Sequence, residues 1–113
     1  MSARDELAAA ATALDGVSVS EQYRQSLKAG DGFVKWNGRT RGDEGLGWID
    51  TWQVWIALPQ DVGAAEKWLT AHLEPLISVL DDVLVVTSAT PAELLLSAKP
   101  TNGLIIEGTR PSA

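Results

Sequence analysis

Five tryptophans fall in a chain of 113 residues, and Trp48, Trp52 and Trp55 lie within eight consecutive positions. They stand where a glycine-rich, charged stretch gives way to an alternating run, Thr51-Trp52-Gln53-Val54-Trp55-Ile56-Ala57-Leu58. Successive side chains of a strand point to opposite faces. Trp52, Val54, Ile56 and Leu58 therefore share one face, and Thr51, Gln53, Trp55 and Ala57 share the other. The first face reads as core. The second sets a large aromatic among small and polar neighbours, as a surface that packs against something else would. Each indole brings on the order of 200 Å², so five are hard to hide inside one small domain.

The length fits a single domain that can bury a core. With 45% hydrophobic and 21% charged residues, the composition is that of an ordinary globular protein. A net charge of −6 argues against general nucleic-acid binding, which needs a basic face to displace counterions. It is compatible with a surface that lets DNA pass without gripping it. The chain has no cysteine, which excludes disulfides, thiolate metal sites and thiol nucleophiles. No stretch reaches the roughly 20 apolar residues of a membrane span, and the acidic start at Asp5 and Glu6 is unlike a signal peptide.

Ser2 and Asp5 have capping-box spacing, and Leu7, Ala10, Ala11 and Leu14 share a helical face, predicting a helix over about 3–14 that stops at Gly16. Val17-Ser18-Val19-Ser20 alternates as a short strand. Gly32 to Trp36 reads as another strand, closed by Asn37-Gly38, a strong hairpin signal. Residues 37–47, with four glycines, two arginines and two acids, read as a long flexible loop before the tryptophan-rich strand at 48–58. Arg41-Gly42-Asp43 matches a cell-adhesion tripeptide, which we read as chance.

Asp61 is a good N-cap for a second helix that turns Val62, Ala65, Leu69, Leu73, Leu76 and Leu80 to the sheet. Pro75 inside this pattern predicts a kink or break near 71–75. Val83 to Thr87 reads as a strand, with Pro91 leaving the segment after it as a bent continuation or a new edge piece. Leu104 to Gly108 is the last strand, and 109–113 reads as a tail. The order α-β-β-β-α-β-β predicts an α+β two-layer sandwich, a mostly antiparallel sheet of four or five strands under two helices.

Catalytic chemistry finds little support. His72 is the only histidine, the acids are scattered, and no Gly-x-Ser-x-Gly elbow or phosphate loop is present. No catalytic, metal or cofactor residue is expected.

The layout resembles the small tail terminator proteins of long-tailed siphophages, particularly those that infect actinobacteria. The resemblance runs over about residues 3–110. It rests on the short first helix, the strand Gly32-Phe33-Val34-Lys35-Trp36, and the strand Trp52-Gln53-Val54-Trp55-Ile56-Ala57-Leu58-Pro59 ahead of a helix with Ala64-Ala65-Glu66-Lys67-Trp68-Leu69. The close Ile105-Ile106-Glu107-Gly108-Thr109-Arg110 completes it. It implies a structural virion protein at the head–tail junction, with no catalytic site. The subunits would form a homo-oligomeric ring, a hexamer, that caps the tail-tube protein, presents a surface to the head-completion or connector protein, and passes DNA without specific binding. Another phage connector or a tail-tube subunit would share this character. A monomeric ligand- or peptide-binding module is the alternative of a different class. Arginine and tryptophan are enriched where interfaces hold their energy. Arg39, Arg41, Asp43, Glu44, Trp48 and Trp55 are accordingly the candidate assembly residues: the face bearing Trp55, together with Trp48 and the loop arginines, is expected to contribute to subunit or tube contacts.

Overall fold

The computed structural model describes residues 2–23, 27–42, 45, 47–96 and 100–112. Its elements are α1 (Ala3–Thr12), β1 (Ser18–Ser20), β2 (Asp31–Arg41), β3 (Trp48–Ala57), α2 (Val62–Asp81), β4 (Val85–Leu95) and β5 (Pro100–Pro111). The strands form one sheet in the order β1-β2-β3-β5-β4. β1 runs parallel to β2, and the other neighbours are antiparallel. The expected α+β architecture and element order are as found.

The capping box at α1 is complete: Ser2 Oγ accepts from the Asp5 N–H, and Asp5 Oδ2 accepts from the Ser2 N–H, both at 3.2 Å. The helix ends at Thr12, two residues earlier than the apolar spacing predicts. Thr12 Oγ1 accepts from the Val19 N–H at 3.0 Å, which ties the helix end to β1. Asp61 caps α2 by accepting from the Ala64 N–H at 3.0 Å.

Both helices pack on one face of the sheet. Leu7, Ala11, Leu76 and Leu80 meet Val34, Val54, Ile56, Leu104 and Ile106 there, each such buried aliphatic side chain worth about 1.5–3 kcal/mol relative to exposure. Val62, expected on the buried side of α2, is 73% exposed. It sits in the first turn, before the helix comes to lie over the sheet.

Three further expectations are corrected in whole or in part. First, of the kink or break expected near 71–75, the break is absent: α2 runs continuously through Pro75. Pro75 is exposed while Leu76 is fully buried, so packing on both sides of the proline holds the helix despite one missing hydrogen bond. Second, β5 continues to Pro111, and the Ser112 N–H donates to the Trp48 carbonyl at 2.9 Å. Residues 109–111 are therefore sheet, because β3 extends far enough to pair with them. Third, β2 does not stop at Asn37-Gly38. The register against β3 shifts between Trp36 and Arg39, so two residues oppose Thr51 alone. This is a bulge, and Gly38 takes a φ of +117° within it.

Pro91 is accommodated inside β4 by its edge position. The Leu58 N–H donates to the Asn102 carbonyl, so Ile56, two residues back, faces β5 and exchanges hydrogen bonds with Leu104. Leu104 thus turns away from β4, and Pro91 opposite it turns to the outer edge, so the β4–β5 ladder asks no N–H of it.

Candidate assembly interface

The helix-side core takes in no residue of β2 after Val34 and none of β3 before Trp52. The β2–β3 hairpin therefore extends past the helical layer as an arm. Arg39 pairs with Asp50 and Arg41 with Trp48 across it, so both arginines are strand residues and not loop residues as expected. The bulge keeps Trp36 and Arg39 on one face, and the ladder places Arg39, Arg41, Asp50 and Trp48 on the face of Trp52.

Asp50 organises this arm. It is only 6% exposed and accepts from Arg39 Nε at 2.6 Å, Arg39 Nη2 at 3.3 Å and Trp36 Nε1 at 3.3 Å. The Arg39 hydrogen bonds hold its carboxyl below the usual range, against the opposing effect of burial, and the Trp36 N–H assists. Asp50 in turn raises the Arg39 guanidinium. Arg41 lies over the Trp48 ring with its guanidinium carbon 4.1 Å from the ring centre. Trp36 and Trp48 remain 45% and 43% exposed. Asp43 and Glu44 lie outside the described residues.

Trp55 belongs to a different surface. Its ring stacks on Phe33 with centres 5.5 Å apart, and Lys35 Nζ sits 5.6 Å from its centre. Trp55 Nε1 donates to Gln53 at 2.8 Å, Gln53 Nε2 to Glu107 at 2.9 Å, and Asn37 Nδ2 to the same Glu107 oxygen at 3.2 Å. Phe33, Leu94 and Leu96 form a small second core here, with Trp55 and Ile105 against it. The candidates thus divide between two faces of the sheet, Trp48 and the arginines on one and Trp55 on the other. Positions 48 and 55 differ by an odd number, and strand alternation sends them to opposite sides. Parity alone would have separated them. It would also have grouped Asp50, which sequence reasoning missed, with Trp48 and Trp52.

Elsewhere, His72 stacks on Trp68 at 4.3 Å, and its Nδ1 is 2.9 Å from the Trp68 carbonyl, a partner that requires the N–H on that nitrogen. The Asp5 and Glu21 carboxyls share a hydrogen bond, which pulls Asp5 below its usual range and raises Glu21. Trp52 Nε1 is buried without a hydrogen-bond partner, and the Arg4 guanidinium carbon lies 5.4 Å from the ring centre. Among the described residues no three His, Asp or Glu side chains converge as metal ligands, and no helix is long and apolar enough to cross a membrane. No family model matches the chain, and no curated protein matches it.

Proposed function

We propose that this chain is a structural ring subunit of a phage tail, a tail terminator that forms a hexamer on the tube and meets the head-completion complex. The observation that carries the reading is the arm: two half-exposed tryptophans on one face of a hairpin, Trp36 held by its N–H to the Arg39–Asp50 pair and Trp48 by the overlying Arg41. Preorganised aromatic and arginine side chains bind a partner without the entropy cost of ordering loose ones. A closed ring needs two unlike surfaces that complement each other. The arm and the sheet face bearing Trp55, Lys35 and Glu107 supply two such surfaces on one subunit. The net charge of −6 also suits a ring through which DNA slides, because negative walls repel phosphate.

Native mass spectrometry of the purified chain with negative-stain micrographs tests the reading. Discrete six-membered rings are the expected result. Open-ended tubes would make the chain a tube subunit, and a monomer at every concentration would remove the ring altogether.

A further inference from the structure

The sheet has two incomplete edges of opposite character. On one side, β1 pairs only with Asp31 to Phe33, and among the described residues no strand pairs with the rest of β2 there. The Val34 carbonyl faces outward, where Arg4 Nη1 donates to it at 3.0 Å. Two residues on, Trp36 turns its N–H and carbonyl the same way. A groove of about 230 Å³ runs beside this edge, lined by Arg4, Tyr23, Phe33, Lys35 and Trp36, and Tyr23 within it is 53% exposed. On the other side, β4 ends the sheet along 11 residues; Pro91 in its middle offers that outer edge a carbonyl but no N–H, and Val85 and Leu95 on it are 65% and 74% exposed.

Charge and strand direction determine how these edges can meet. Beyond Val34, β2 carries Lys35, Arg39 and Arg41 and no acid, whereas β4 carries Glu93 and no cation and is approached through Asp81 and Asp82. Arg39 is matched by Asp50; Lys35 and Arg41 lie over the Trp55 and Trp48 rings, and among the described residues neither has a carboxylate partner. Two β2 edges would oppose like charges, and so would two β4 edges. A β2 edge against a β4 edge would not. Directions agree as well: β2, β3, β5 and β4 alternate, so β4 of one copy beside β2 of the next continues the antiparallel sequence.

We propose that the open edge of β2 is completed by β4 of a second copy, so that one antiparallel sheet passes from subunit to subunit. This rests on the ring reading and adds an edge-to-edge contact to the arm and sheet face already named for it. Because the two edges differ, the pairing is head-to-tail and propagates to a ring instead of stopping at a two-fold dimer. Strands tilt in such a closed sheet, so β4 meets β2 with an offset along the strand. Tyr23 and Trp36 then cover the exposed side chains of the incoming strand.

The absence of native cysteine allows a clean test. Lys35→Cys is combined in one chain with Ser88→Cys, Thr90→Cys or Ala92→Cys, positions on the same sheet face as Lys35 that step along β4. Lys35 and Ser88 of one subunit stand three strand spacings apart, about 14 Å. A bis-maleimide of shorter reach therefore links only different copies. The expected result is a ladder of linked subunits up to the full ring for at least one pair, with no linkage in any single-cysteine variant. A ring by native mass that gives no ladder with any pair, or dimers from Lys35→Cys alone, overturns the edge pairing and leaves the ring reading standing. A monomer by native mass for the unmodified chain overturns both.

Discussion

Arg39 grips Asp50 with two hydrogen bonds across the β2–β3 hairpin, 2.6 Å from Nε and 3.3 Å from Nη2. In water such a pair contributes little, but here the carboxylate is buried and also receives the Trp36 indole N–H. The pair sets the side-chain geometry of the arm, and it connects stability, pH and assembly.

Asp50→Asn should lower stability at pH 7 by about 1–3 kcal/mol, the usual range for hydrogen bonds to a charged group. The folded carboxyl is held below its ordinary value. As pH falls below about 4, the unfolded chain takes up that proton first, and the contribution is lost progressively as pH drops through the lower folded value. Urea titrations from pH 7 to pH 2 should therefore show the variant with a flatter acid limb and a stability gap that narrows below pH 4. A constant gap at all pH values would refute the linkage.

Pro75→Ala should stabilise the monomer. A helix-interior proline costs about 3 kcal/mol relative to alanine, and here the ring is exposed while Leu76 and Leu80 anchor the helix. Restoring the missing donor at a solvent-facing position should raise stability by about 1–3 kcal/mol in urea, with no change in assembly. A loss of stability would mean that the helix depends on a bend at the proline.

The helices, and the strand at 48–58, were legible because caps and period are local signals. Ser2 with Asp5, Asp61 before a run of leucines, and Trp52 to Leu58 each give their element within a few residues. The arm was less legible. Asn37-Gly38 allows positive φ, and the sequence cannot distinguish a turn from a bulge when both ask for that same conformation. Reading a turn there put Arg39 and Arg41 in a loop, and Asp50 then had no visible partner. Pro91 was ambiguous for a related reason: whether β4 tolerates it depends on which way one N–H would point, a property of the assembled ladder.

Trp52→Phe removes a buried N–H that has no partner while keeping an aromatic against the core and under Arg4. An unsatisfied buried donor costs about 1–3 kcal/mol, which offsets the packing lost with the smaller ring. The expected change is within about 1 kcal/mol of zero, measured by urea denaturation. Trp52→Ala at the same site should cost about 3–5 kcal/mol. If the phenylalanine variant falls as far as the alanine variant, the indole nitrogen is making a contact that matters.

Trp48 and Trp55 should separate cleanly when each is replaced by alanine. Trp55 stacks on Phe33 and anchors the Gln53–Glu107 chain, so its removal opens the second core and should cost about 2–4 kcal/mol of monomer stability. Trp48 is 43% exposed and touched chiefly by Arg41. Its loss should cost no more than about 1 kcal/mol, the scale of an exposed cation–π contact. Assembly should respond differently: an arm tryptophan that anchors a neighbour carries disproportionate binding energy, so Trp48→Ala should dissociate the ring into folded subunits. Melting temperature and native mass, taken together on both variants, decide the matter. Trp48→Ala rings as intact as those of the parent chain would remove Trp48 from the interface, and a melting point as low as that of Trp55→Ala would make it a structural residue of the arm.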